Sequence, residues 1–261
     1  ADPLPAILAY NKLLAEKGIT LYLMAVPPKS LVYADKLGFE VGSDIMEEQA
    51  AMYEKFYGLL SNGGVKVIDL LPALLEKRKD SDVYCKTDTH FSAEGIKLFA
   101  EAAAAVIKQT EWYAKATRKE YVQSPRSLTI RGDLARMAEL PDMEESLELT
   151  FVTVKESGQP EISDPASPVI LLGDSHTLVF SAGGDLHAQG AGLFDHLSAR
   201  LGFAVDLLGV RGSGVTPARI KLFQRSKKES EYLEGKKVLI WCFTARDFTG
   251  TGGWREIPVA P

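Results

Sequence analysis

The sequence has few cysteines, histidines and asparagines, and it has no long apolar run. Its 261 residues include two cysteines, four histidines and two asparagines. Cys85 and Cys242 permit one disulfide bond but do not imply it. No apolar run approaches the length of a membrane span, so the sequence predicts no transmembrane helix. Internal repeats and low-complexity tracts are also absent from the sequence.

Positive charge is not concentrated in any part of the chain. The net charge is −5, and the densest basic clusters are the short runs at 77–79 and 227–228. We interpret both runs as solvated faces, and the charge distribution argues against nucleic acid as the main partner. Hydrophobic residues make up 46% and charged residues 25% of the chain, which is typical of an ordinary globular protein.

The length suits one large α/β domain with a substantial core and is short for two domains. The chain begins with Ala1 and Asp2 rather than methionine, close to the first predicted helix. We interpret it as a mature or truncated form. The lack of a signal peptide therefore carries no information about compartment.

Short apolar strands alternate with amphipathic helices along most of the chain. Strands are predicted at 19–26, 65–70, 169–172, 204–208 and 238–243, and helices at 4–17, 45–60, 193–201, 217–224 and after the N-cap Ser92. This alternation predicts a three-layer α/β/α fold with a mostly parallel sheet. Residues 117–165 mix charged and β-branched side chains, which predicts a β-rich insertion within a single domain spanning 1–261.

The most informative segment is Gly-Asp-Ser-His at 173–176, directly after the apolar strand at 169–172. Ser175 is therefore predicted on the turn that leaves a buried strand, with its hydroxyl at the edge of the sheet. A serine becomes an effective nucleophile when a base accepts its proton and a third group orients that base. His90 and Asp88 lie on one predicted loop and suit these roles, because Asp88 can accept from His90 Nδ1–H and leave Nε2 free.

Together these three residues predict a Ser-His-Asp triad, whose members follow no fixed order along the chain. Each residue alone has a simpler interpretation. Ser175 could be a helix N-cap, His90 a structural histidine, and Asp88 a cap of the turn before Ser92.

An oxyanion hole would require hydrogen-bond donors fixed near Ser175. The Ser175 backbone N–H is one candidate. Gly214 is another, because the Gly-Ser-Gly segment at 212–214 follows a predicted strand and glycine allows close approach of the backbone to a ligand. A flexible turn is the alternative for this segment. Arg211 and Arg246 are the other candidate donors, since ligands of parallel sheets bind beyond the carboxyl ends of strands.

Gly-Asp-Ser with a distant Asp/His pair resembles the SGNH (GDSL-type) hydrolases, in most of which an Asp-x-x-His pair comes last. Here the pair comes first and is Asp-x-His, which resembles the polysaccharide O-acetyltransferases of the AlgJ/AlgX type. Residues 26–33 (VPPKSLVY) resemble the Pro-x-Lys…Tyr segment of that family, and residues 241–246 resemble its late Trp…Arg strand. The chain departs from the pattern in having Phe91 in place of Trp. Neither Asn11 nor Asn62 matches the SGNH asparagine.

The resemblance implies an SGNH-like α/β/α domain with Ser175 as nucleophile, His90 as base and Asp88 as its orienter. Gly214 matches the second SGNH block, and Arg246 stands in for the missing asparagine. The implied activity is a serine-dependent acetyltransferase of alginate or another exopolysaccharide, acting through an acetyl-serine without cofactor or metal. Its partners would be an acetyl donor, a polysaccharide acceptor and other exopolysaccharide-synthesis proteins. The implied location is the periplasm, with any membrane anchor in a segment outside this sequence.

Several alternatives remain open at this point. An acetyl-serine that reacts with water would make the protein an acetylesterase. The pairs Asp88-x-His90 and Asp174-x-His176 could hold a metal ion for a metal-dependent hydrolase; otherwise His176 packs or lines the pocket. The domain could also be a non-catalytic glycan-binding relative of the fold. The cysteines could form a disulfide in an oxidising periplasm or stay as buried thiols.

Overall fold

A parallel sheet lies at the centre of the computed structural model, which describes residues 2–38, 43–212, 215–250 and 254–261. The strands are β1 (Thr20–Val26), β2 (Lys66–Val67), β3 (Tyr121–Ile130), β4 (Glu145–Val154), β5 (Val169–Gly173), β6 (Asp206–Gly209) and β7 (Val238–Thr244). The helices are α1 (Leu4–Glu16), α2 (Lys29–Val32), α3 (Ser43–Asn62), α4 (Leu71–Lys77), α5 (Ala93–Lys108), α6 (Asp133–Met137), α7 (Leu193–Leu201) and α8 (Val215–Lys228). None of these helices has the length and apolar character needed to cross a bilayer.

The sheet has the strand order β2-β1-β7-β5-β6, and all neighbouring strands are parallel. Alternate side chains of β1 enter two different cores. Tyr22 and Met24 pack with α5 and α7, whereas Leu21 and Leu23 pack with α1, α3 and α8. Both faces of the sheet are therefore covered by helices, which explains why its strands are almost continuously apolar. The predicted α/β fold with a mostly parallel sheet is confirmed.

Most predicted boundaries lie within two residues of the observed ones, and the exceptions are the end of α8 and the strand β2. The prediction for α7 matches its bounds, and the N-cap of α5 is Ser92, whose Oγ accepts from Gly95 N–H. The strand predicted at 65–70 is reduced to two residues. Asp69 Oδ1 accepts from Leu71 N–H, and Pro72 occupies the first turn of α4, so the chain enters a helix that the pattern did not predict.

Strands β3 and β4 form an antiparallel ribbon that is separate from the main sheet. The ribbon occupies much of the segment for which β structure was predicted. Ile130 and Leu149 join the core that contains α5 and α7. Val152 N–H donates to Gly190 O, so the ribbon also contacts the loop that follows β5. Its position brings the turn between β3 and β4 near the carboxyl ends of the central strands.

Both cysteines are buried free thiols, so the disulfide alternative does not apply to this structure. Cys85 Sγ lies 3.0 Å from Phe91 O, to which its thiol donates. Burial raises the pKa of both Cys85 and Cys242 well above the usual thiol value. Each thiol therefore stays protonated at neutral pH and contributes mainly as a small apolar group.

A buried ion pair joins the segments that lead into three central strands. Lys236 Nζ donates to Asp206 Oδ2 at 2.8 Å and to the carbonyl oxygens of Pro165 and Ser167. Tyr232 Oη–H donates to the same carboxylate oxygen at 2.5 Å. The two charged side chains are 1% and 0% exposed. Because water does not reach the Asp206 carboxylate, its charge depends on Lys236 for compensation.

We expect Lys236→Met to lower the free energy of unfolding by about 3–5 kcal/mol, because it leaves a buried carboxylate without its cation. Urea denaturation followed by circular dichroism measures the change. Lys155→Met is the matched control, since Lys155 pairs with Glu120 on the exposed ribbon surface and should have little effect. Equal effects of the two substitutions would show that the buried pair does not stabilise the fold.

Candidate active site

Ser175 lies just beyond the carboxyl end of β5, in a single 3₁₀ turn. Asp174 caps this turn, since its Oδ1 accepts from His176 N–H at 2.9 Å. Its Oδ2 accepts from Thr244 N–H at 2.7 Å, which ties the turn to the end of β7. The position of Ser175 is therefore determined by two central strands. Within the described part of the chain its backbone N–H has no acceptor, so this N–H is available to a ligand.

The structure brings the three triad candidates into one line of hydrogen bonds. Ser175 Oγ lies 2.8 Å from His90 Nε2, and His90 Nδ1 lies 2.6 Å from Asp88 Oδ1. His90 and Asp88 are buried, whereas Ser175 is partly accessible. With Nδ1–H donated to Asp88, His90 presents an unprotonated Nε2 to the serine hydroxyl. This arrangement can transfer the serine proton to His90 and stabilise the imidazolium that results.

The Asp88 carboxylate accepts hydrogen bonds from four donors. Oδ1 accepts from the backbone N–H and Nδ1 of His90, while Oδ2 accepts from Asp133 N–H at 3.0 Å and His187 Nε2 at 2.9 Å. Burial opposes ionisation, but hydrogen bonds from His187 and His90 hold the pKa of Asp88 well below its usual range. Asp88 is therefore an anion at neutral pH. The sequence analysis did not identify His187, which lies in a loop without a motif.

The Lys29 side chain holds the loop that carries Asp88 and His90 through hydrogen bonds to its backbone. Its ammonium group donates to the carbonyl oxygens of Cys85, Lys86 and Asp88 at 2.6, 3.2 and 3.0 Å. A lysine ammonium has three protons, and all three have protein acceptors here. The Lys29 side chain is therefore a structural support of the loop, although its segment resembles a family motif.

The same loop is also held by the connection between β3 and β4 and by Glu145, the first residue of β4. Glu145 Oε1 accepts from the N–H and Oγ1–H of Thr87. The Asp133 carboxylate accepts from the N–H and Oγ1–H of Thr89 at 2.7 and 2.6 Å. Gly132 packs against Thr87 so closely that a Cβ at this position would lie 2.1 Å from Thr87 O. The ribbon is thus part of the structure that positions Asp88.

A cavity of about 270 Å³ opens beside Ser175. Gly212 and Arg246 lie in its wall, and Gly212 has a φ of +85°, a conformation that favours glycine. Arg246 is exposed and forms no ion pair with any residue that the structure describes, so its guanidinium is available to a ligand. Arg211 is placed differently, since its Nη1 pairs with Asp185 at 2.5 Å on the surface. Gly214 lies outside the described residues.

His176 contributes to the cavity wall, as one of the two interpretations from the sequence expected. Its Nδ1 lies 3.1 Å from Asp174 Oδ1, and its ring centroid lies 4.8 Å from those of His90 and Phe91. Phe91, which replaces the family tryptophan, is fully buried. An aromatic side chain at this position therefore still packs against the His176 ring, which in turn contacts His90.

Ligand atoms of Asp88, His90 and Asp133 lie within 4.8 Å of one another, a spacing that a metal ion could bridge. Their carboxylate oxygens already accept hydrogen bonds from Thr89, His187 and backbone N–H groups. A cation would have to displace these bonds. Asp174 and His176, the second predicted pair, do not belong to this group or to another such group among the described residues. The donor arrangement therefore favours a proton relay over a metal site.

The family described as SGNH hydrolase-like domain, acetyltransferase AlgX, matches residues 1–245. The probable alginate O-acetylase AlgJ of Pseudomonas syringae pv. tomato is 26% identical over 180 residues, which cover 69% of this chain and 45% of that protein. The alginate biosynthesis protein AlgX of Pseudomonas fluorescens is 27% identical over 179 residues, covering 62% and 36%. The chain thus spans less than half the length of these curated relatives.

Two solved structures share the fold. The O-acetyltransferase domain of Pseudomonas putida AlgJ superposes with a TM-score of 0.73 at 19% identity, covering 96% of this chain and 83% of that one. Pseudomonas aeruginosa AlgX superposes with a TM-score of 0.70 at 19% identity, covering 99% and 60%. The SGNH-like fold expected from the sequence is confirmed.

We expect Gly132→Ala to lower the free energy of unfolding by about 1–3 kcal/mol, because the new methyl group overlaps Thr87 O and Asp88 N. Hydrogen exchange of the backbone amides at 87–90 should become faster. Gly58→Ala is the matched control. Gly58 lies within α3 with open space around its Cβ direction, so alanine there should stabilise the protein by about 0.5–1 kcal/mol. Unchanged exchange in Gly132→Ala would argue against the bracing role of the ribbon.

Proposed function

This chain belongs to the AlgX family of SGNH hydrolase-like acetyltransferase domains, and we propose that it transfers acetyl groups to hydroxyls of an exopolysaccharide through an acetyl-serine. The observation that carries the proposal is the hydrogen-bonded line from Ser175 through His90 to Asp88 at the edge of an open cavity. The names of the relatives, alginate O-acetylase AlgJ and alginate biosynthesis protein AlgX, support a polysaccharide acceptor. The word biosynthesis in the second name supports other polysaccharide-synthesis proteins as partners. The periplasmic location remains a proposal that rests on the family resemblance.

In the first half-reaction, Ser175 Oγ forms a bond to the acetyl carbonyl carbon while His90 Nε2 accepts the serine proton. Asp88 stabilises the imidazolium that results. We assign the developing oxyanion to donors at the cavity edge: the Ser175 N–H, the Gly212 backbone and the Arg246 guanidinium. The bond to the leaving group then breaks, and the leaving group takes the proton from His90. The product is an acetyl ester on Ser175.

In the second half-reaction, a sugar hydroxyl gives its proton to His90 and attacks the acetyl carbonyl carbon. The ester bond to Ser175 breaks, and Ser175 Oγ recovers its proton from His90. Water that takes the place of the sugar hydroxyl gives free acetate instead. The transferase and the acetylesterase therefore share the first half-reaction, and the acceptor that occupies the cavity distinguishes them.

We expect Ser175→Ala and His90→Ala each to lower kcat for 4-nitrophenyl acetate by about 10³-fold or more, and the double variant to lose little more. Asp88→Ala should also remove most activity, because His90 then loses its orienting partner. Ser181→Ala is a matched control, since its hydroxyl donates to Asp195 rather than to the triad. A wild-type rate in Ser175→Ala would contradict the proposed nucleophile.

Mass spectrometry distinguishes transfer from hydrolysis. After treatment with an activated acetyl ester, the peptide containing Ser175 should carry one acetyl group. Addition of alginate oligosaccharides should remove that group and give O-acetylated oligosaccharide. Release of acetate alone at every acceptor concentration would identify an esterase and exclude transfer to this acceptor.

Arg246→Ala should lower kcat by about 10²–10³-fold with little change in Tm, as expected for one donor to a developing oxyanion. Arg211→Ala should leave kcat nearly unchanged, because its guanidinium is engaged by Asp185 at the surface. Steady-state kinetics and thermal denaturation of both variants show which of the two arginines donates to the oxyanion. A large loss of Tm in Arg246→Ala with full kcat in the folded fraction would assign Arg246 a structural role.

A further inference from the structure

His187 has a backbone conformation that residues other than glycine rarely adopt. Its φ is +76° and its ψ is −60°, and Leu186 O accepts from Ala188 N–H across it at 3.0 Å. These values define a γ-turn with positive φ at its central residue, the rarer and strained form of this turn. Strained residues of this kind persist where the surrounding structure imposes them, and they are concentrated at functional sites.

The surrounding contacts determine the position of the His187 side chain. The side chain is 9% exposed, and its Nε2 lies 2.9 Å from Asp88 Oδ2. Its ring packs on Phe180, with centroids 5.4 Å apart. Phe180 also has a positive φ of 58°, and its backbone N–H donates to Leu186 O. Two strained residues in contact therefore direct the imidazole toward Asp88.

The loop that carries His187 is also the loop that begins with Ser175. The hydrogen-bonded path leaves Ser175 Oγ, passes through His90 and Asp88, and returns to this loop at His187 Nε2. We propose that His187 is a positioning residue, which fixes the outer oxygen of Asp88 and so keeps His90 aligned with Ser175. The inference deepens the proposed function, because it concerns the same site.

The physical need for such a residue follows from the role of Asp88. Its carboxylate must keep Oδ1 directed at His90 Nδ1 while the imidazole gains and loses a proton. Without His187, Oδ2 retains one donor, the Asp133 N–H, and the carboxylate gains freedom to rotate. Other charged groups in contact with this loop are the Lys29 ammonium, which donates to the Asp88 carbonyl oxygen, and the carboxylates of Asp133 and Glu145. None of these groups replaces a donor to Oδ2.

The test compares His187→Leu with His187→Gln in the intact chain. Both substitutions keep an unbranched Cβ in the strained turn, but only glutamine offers an N–H at the position of Nε2. One readout is the rate at which phenylmethanesulfonyl fluoride modifies Ser175, followed by mass spectrometry. In this reaction Ser175 Oγ bonds to sulfur, fluoride leaves, and His90 takes the serine proton. The second readout is kcat and KM for 4-nitrophenyl acetate.

We expect His187→Leu to lower both the sulfonylation rate and kcat roughly 10- to 100-fold with little change in KM, as for loss of a group that orients a catalytic residue. His187→Gln should restore most of both rates. His196→Leu is the matched control, because His196 is also buried and its Nε2 lies 3.0 Å from Thr150 O, away from Asp88. It should lower Tm as His187→Leu does and leave both rates unchanged.

Wild-type rates in His187→Leu, or no recovery in His187→Gln, would overturn the positioning role. Failure of this inference is distinguishable from failure of the proposed function. If Ser175→Ala is inactive while His187→Leu is fully active, the function stands and the inference fails. If the wild-type protein transfers no acetyl group but His187→Leu still slows sulfonylation, the inference stands and the function fails.

Discussion

The hydrogen bonds around the Asp88 carboxylate are the constraint on which the site depends. A buried anion is stable only when donors surround it, and the donors here come from three separate parts of the chain. The His90 imidazole and backbone belong to the Asp88 loop itself, the Asp133 N–H to the turn after β3, and His187 to the loop after β5. Correct folding of all three segments is therefore required to hold the His90 imidazole in line with Ser175.

The β3–β4 ribbon lies outside the main sheet, but it helps to hold the loop that carries Asp88. The connection between its strands supplies Gly132 and Asp133, and β4 begins with Glu145. All three contact the residues on either side of Asp88. Lys29, at the start of α2, supports the same loop. Loops are mobile unless they are held, and side chains that act together in a site must keep their geometry within about 0.5 Å. The ribbon and Lys29 together meet this requirement.

The parallel sheet explains why these parts meet at one place. The carboxyl ends of β1, β5, β6 and β7 all lie at one edge, so the segments that follow them surround a common cavity. Asp174 connects the ends of β5 and β7 directly. At the opposite edge the buried pair of Lys236 and Asp206 joins the segments that enter the same strands. Strain at His187 is thus tolerated because the framework around it is stable.

The sequence by itself determined the alternation of strands and helices, the α7 helix and the Ser92 cap, because these depend on neighbouring residues. It also predicted that Ser175, His90 and Asp88 act together, since each lies in a short motif of polar residues at a strand end or before a helix; the structure places them in one line of hydrogen bonds. Only the tertiary structure showed the contacts of His187 and of the ribbon turn with the Asp88 loop. His187 is 99 residues from Asp88, and Asp133 is 44 residues from Thr89. Single polar residues in loops form no periodic pattern, so packing alone decides which of them meet.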